Sequence, residues 1–192
     1  MRGNCIEEAY FGIDGKPCLH KDGYAKNINR YDERNNIVEK AYFGTDGRPC
    51  LINVGFAKIT MTYDEQGNCI EVISYNTHNA FLQRQRRLIF AAEIISGSPA
   101  EEQDIKRSDI IIDYAGADWT NGINMAANIQ RVRNIEKQLI FARKNPDGSF
   151  HIFAKTFPAG MMGITLSATW IDGKDYDKIM EAYKKFQEQQ KK

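Results

Sequence analysis

A repeat with a period of 32 residues occupies the first part of this chain and limits what that part can fold into. The run Ala-Tyr-Phe-Gly stands at Ala9–Gly12 and again at Ala41–Gly44, and Tyr-Asp-Glu begins at Tyr31 and at Tyr63. Asp14-Gly15 recurs as Asp46-Gly47, and Pro17-Cys18 as Pro49-Cys50. Asn4-Cys5-Ile6 recurs as Asn68-Cys69-Ile70, two periods on. A fixed period of this length marks supersecondary units that stack on one another.

Each unit is rich in strand signals. Ile37–Phe43 is crowded with aromatic and β-branched residues, and Phe56–Tyr63 alternates as a half-buried strand does. Thr45-Asp46-Gly47 and the stretch from Asp64 to Asn68 supply turns, with glycine free to take a positive φ. A unit is therefore one β-hairpin with a short extra segment, and residues 1–76 form an antiparallel hairpin-repeat region. The numbering opens mid-unit, so a fragment, or a natural start with a partial first repeat, is expected. The YDxxGN and DG punctuation resembles the YD-type β-hairpin repeats of bacterial surface and toxin-related proteins, which implies a scaffolding role. Cys5 and Cys69 share a unit position that Ile37 fills between them, and Cys18 and Cys50 share another. A position that accepts Cys or Ile is expected to be small, buried and apolar. No CxxC spacing is present, so no metal site is expected.

Charge and hydropathy remove several function classes. Basic and acidic residues number 26 and 25, a net charge of +1, without the basic surplus that nucleic-acid phosphates require. No apolar run is long enough for a membrane span. Free cysteines and the lack of a leader at Met1 point to the cytoplasm, with an exported parent as the alternative.

The composition changes after Tyr75. Residues 77–87, with Arg84, Arg86 and Arg87, are expected to form a solvated linker helix. Leu88–Ile95 is an apolar strand. Ser98 is placed to cap a helix, Pro99 fits its first turn, and Glu101 follows at capping-box spacing. Ile110–Ile112 is a buried strand. Met125, Ile129 and Val132 form one stripe of a helix, Gln138–Arg143 and Phe150–Thr156 are strands, and Asn145–Gly148 joins them. The tail carries a stripe of Tyr176, Ile179, Met180, Tyr183 and Phe186 and is expected to be an amphipathic helix.

The stretch IISGSPAEEQDIKRSDIIIDYAG resembles the bacterial PDZ domain, and Gly160–Ile164 resembles its GLGF-like loop, with Met161 in place of the first Gly and Ser108 where Gly usually precedes Asp. The loop follows the last strand, as in a circular permutation, and the resemblance spans about residues 86–171. The expected class is thus α+β. It comprises the hairpin repeats, a linker over 77–87, a PDZ-like partly open β-barrel with two helices over 88–172, and a C-terminal helix over 173–192.

The resemblance implies a non-catalytic module that binds an extended peptide or a protein C-terminus by strand addition. The groove would lie between an edge strand, Gly163–Ser167, and the helix Ile123–Val132. Gly160, Met161, Met162, Gly163, Ile164, Thr165 and Leu166 would hold the peptide, and Asn124, Asn128 and Arg131 would set its preference. The alternative is a structural repeat protein of surface or adhesion type whose PDZ-like part binds no free peptide. A remote alternative is a Cys–His hydrolase using Cys18 or Cys50. His20, His78 and His151 lie in separate segments, so no catalytic residue and no cofactor are expected.

Overall fold

The computed structural model of the 192-residue chain describes residues 3–118, 129 and 133–191. It divides into two compact units, one of Met1–Tyr63 with Glu71–Gln85 and the other of Asp64–Ile70 with Arg86–Lys192.

In the first unit the strands β1 (Glu7–Ala9), β2 (Lys26–Tyr31), β3 (Ile37–Phe43), β4 (Lys58–Tyr63), β5 (Cys69–Tyr75) and the start of β6 (Phe81–Ile94) neighbour one another in chain order. β1, β2, β3 and β4 pair antiparallel, with Ile28 opposite both Glu7 and Ala41. The period in the sequence is a period in hydrogen bonding. Tyr10 N–H donates to Ala25 and Tyr42 N–H to Ala57, Cys18 N–H to Tyr10 and Cys50 N–H to Tyr42. The Tyr31 hydroxyl donates to the Cys5 carbonyl and the Tyr63 hydroxyl to the Ile37 carbonyl, again 32 residues apart.

The turn punctuation has a local cause. Asp32 Oδ1 accepts from the N–H groups of Arg34 and Asn36, and Asp64 Oδ1 from those of Gln66 and Asn68. Each aspartate also takes the side-chain amide of its Asn on Oδ2, at 2.9 Å. The residue before that Asn has a positive φ, 69° at Asn35 and 82° at Gly67. An aromatic series, Tyr10–His20–Tyr24–Tyr42–Phe56, runs through the unit with centroids 4.7 to 6.0 Å apart. The cysteines differ from expectation. Cys5 is exposed, and Cys18, Cys50 and Cys69 are half-buried, because aromatic rings rather than thiols fill the buried positions.

The segment expected to be a linker helix is a turn followed by a strand. Asn76 Oδ1 accepts from the N–H groups of His78 and Ala80, Asn79 takes φ 58°, and the chain then enters the fourteen-residue β6. Asn76 does here what Asp32 and Asp64 do elsewhere, and the arginines sit on a strand.

In the second unit the order is β6, β7 (Ile110–Tyr114), β9 (Lys137–Lys144), β10 (Phe150–Phe157), with β8 (Ala117–Asp118) on β7 and β11 (Ile164–Asp172) on β6. Both faces of β7 are covered. Ile111 joins Tyr114, Phe141, Phe157 and Met162 in one core cluster, while Ile110 and Ile112 join Leu88, Ile152, Ile179 and Tyr183 in another. This explains the continuous Ile run, since a strand buried on both faces has no polar alternation.

Helix α1 (Pro99–Glu102) is a single turn. Ser98 caps it by accepting from Glu101 N–H, and Glu101 Oε2 accepts from Gly97 N–H at 2.7 Å. Helix α2 (Gly173–Gln190), capped by Asp172, buries Ile179 and Tyr183 in the second cluster.

The expected α+β fold with a PDZ-like partly open barrel and two helices is corrected by this structure. The fold is dominated by an open antiparallel sheet with the helices α1 and α2, and the helix expected over Ile123–Val132 lies, Ile129 apart, outside the described residues. A barrel closes only when the two end strands of its sheet pair with each other. In this unit the end strands are β10 and β11, and among the described residues β11 pairs with β6 and not with β10. Among the described residues no helix is long and apolar enough to cross a membrane.

Candidate functional site

A cavity of about 420 Å³ opens in the second unit at the head of β11. Ile95, Tyr114, Ile129, Ile164 and Leu166 supply apolar walls, Gly160–Gly163 form one rim, and Arg133 lies beside that rim. Ile95 and Met161 are 52% and 72% exposed, so the mouth presents apolar surface to solvent.

The rim is held from three sides. Gly160 N–H donates to the Arg133 carbonyl at 2.8 Å, Ala100 N–H to the Met162 carbonyl at 3.0 Å, and Ile95 N–H to the Gly163 carbonyl at 2.9 Å. Gly160 and Gly163 take φ 105° and 78°, values that glycine adopts without strain. No hydrogen bond among the described residues uses the N–H groups of Met161, Met162 or Gly163, although Met162 and Gly163 are buried. Successive amide donors of this kind, in a loop with left-handed glycines, form a concavity suited to an anionic oxygen. Beneath the loop, the Lys137 ammonium donates to the Pro158 and Gly160 carbonyls at 3.1 Å and to Ile135 at 3.5 Å. Burial pushes the Lys137 pKa below the usual lysine value. Burial likewise raises that of Tyr114.

Of the residues expected from the sequence, the structure brings Gly160, Met161, Met162, Gly163, Ile164 and Leu166 together around this cavity. Thr165 is exposed between Ile164 and Leu166, because strand side chains alternate. Asn124, Asn128 and Arg131 lie outside the described residues. Sequence reasoning missed Ile95, Tyr114, Arg133 and Lys137. A signal for Lys137 was present: it shares the inward face of β9 with Leu139 and Phe141, all three buried at period two. Among the described residues no group of three or more His, Cys, Asp or Glu side chains is placed to hold a metal ion.

No protein-family model matches the chain, and no curated protein matches it.

Proposed function

We propose that this chain is a non-catalytic interaction module that takes the end of an extended peptide at the head of β11. The observation that carries this reading is the cavity itself: apolar walls and a rim whose Met161, Met162 and Gly163 N–H groups have no partner among the described residues. The terminal side chain would enter between Ile95, Ile129, Ile164 and Leu166, and the terminal carboxylate would accept from the rim. The peptide backbone would extend along β11. The resemblance of Gly160–Ile164 to a GLGF-like loop supports the same reading.

Magnitudes favour a modest binder. Four ladder hydrogen bonds at about 1 kcal/mol each, about 2 kcal/mol for one buried apolar side chain and about 2 kcal/mol for a charge-assisted carboxylate come to roughly 8. That corresponds to a micromolar Kd at best before ordering costs. Titrating the labelled protein with a library of C-terminal peptides is expected to shift the amide signals of Gly160–Leu166. If no peptide moves them, the reading fails.

A second reading, a scaffold whose partner binds the repeats, is favoured by one observation. Phe11, Ile13, Leu19, Leu51 and Val54 in the first unit are all exposed. Under that reading Leu19→Ser with Leu51→Ser abolishes partner capture, while substitutions in the rim leave it intact.

A further inference from the structure

Lys137 is only 3% exposed, yet no carboxylate among the described residues lies within ion-pairing distance of it. Its three donors are spent on the carbonyls of Ile135, Pro158 and Gly160. Carbonyl dipoles satisfy its hydrogen bonds but leave its charge uncompensated, and an uncompensated buried charge is costly. The segment 158–163 carries no titratable side chain. A neutral residue at 137 would spare this cost, unless the charge serves whatever enters the cavity.

We propose that Lys137 is the positioning residue of this site: it pins the Pro158 and Gly160 carbonyls, and its charge makes the site select an anionic terminal group over a neutral one. The inference rests on the peptide-end reading above. Pinning the carbonyls from below leaves the N–H groups of Met161, Met162 and Gly163 for the ligand. An entering carboxylate then supplies the counter-charge that the fold withholds.

The test compares an N-acetylated pentapeptide ending in leucine with its C-terminal amide, read from amide shifts of residues 160–166. The wild-type protein is expected to bind the acid about tenfold more tightly than the amide, the difference between a charge-assisted and a neutral acceptor. In the wild type, the Lys137 side-chain signals are expected to move with the acid and stay in place with the amide, a measurement that needs no variant. Lys137→Gln keeps two N–H donors without the charge. It is expected to leave the loop signals of the free protein near their wild-type positions and to lower the acid-to-amide ratio about threefold or more, the rim N–H groups keeping the remainder. Lys137→Met removes the donors too and is expected to displace the loop signals before any ligand is added. A wild-type protein that binds acid and amide equally, a Gln variant that keeps the tenfold ratio, or Lys137 signals indifferent to the acid would each overturn the role of Lys137 while leaving peptide binding standing. If neither peptide moves any signal, the peptide-end reading fails and the role of Lys137 falls with it.

Discussion

At Gly163 two constraints coincide. Its φ of 78° lies in the region that side chains rarely adopt, and a Cβ added there would overlap the Cβ and Oγ of Ser98, the residue that caps α1. Gly163→Ala is therefore expected to cost about 3 kcal/mol or more, by positive-φ strain and overpacking together. A urea midpoint unchanged from wild type would contradict that. Asp64 is the residue-scale counterpart in the repeat: 7% exposed, it accepts two backbone N–H groups and one side-chain amide. Asp64→Ala is expected to cost about 2 kcal/mol, since three hydrogen bonds to its carboxylate are lost, and Asn76→Asp to be tolerated because the same turn uses Asp at Asp32 and Asp64. These turns were legible because every hydrogen bond in them closes within four residues. The turn at Asn76 was missed because Asn replaces Asp and Ala replaces the final Asn, although the acceptor and the left-handed Asn79 remained visible.

Among elements, the docking of α2 on β9 and the tie from β9 to β7 make contrasting cases. Lys144 on β9 meets Asp175, in the first turn of α2, at 2.6 Å. The hydrogen bond from Lys144 holds the Asp175 carboxyl below its ordinary value. A lowered carboxyl pKa stabilises the fold above the unfolded value, about 3.9, and that contribution is lost as pH falls through the folded value. Acid titration is accordingly expected to loosen α2 below about pH 4, less so in Asp175→Asn. With Lys144 half exposed, the pair contributes at most about 1 kcal/mol and weakens with salt. The other case is Asp109, only 1% exposed, just before β7. Arg143 on β9 grips both its oxygens, at 2.8 and 2.7 Å, and Lys106 N–H donates to it. Arg143→Met would strand a buried carboxylate and is expected to cost about 3–5 kcal/mol, a loss that calorimetry would show as a large fall in Tm. The caps of α1 and the stripe of α2 could be read from spacing. The first half of β6 could not, since its Gln and Arg run resembles a solvated helix until neighbouring strands are known to flank it; its second half was legible as the apolar run from Leu88.

The two units differ as whole bodies in how much apolar surface they bury. The buried apolar residues of the first are Tyr24, Ala25, Tyr42 and Ala57, whereas the second holds two clusters around Ile111, Phe141 and Phe157 and around Leu88, Ile112 and Ile179. Local opening is easiest where few apolar contacts must be broken. Hydrogen exchange is expected to leave the β7 and β9 amides protected long after those of β2, β3 and β4 have exchanged; equal protection would contradict this ranking. What the amino-acid order determined unaided is the 32-residue period, the Asp and Asn turns, and the helix caps, because those bonds join residues close in the chain. What only tertiary structure decided is the open sheet in place of a barrel, and Lys137 beneath the rim. The two nearer carbonyls that hold its ammonium come from residues 21 and 23 positions away, and no local pattern encodes a partner at that distance.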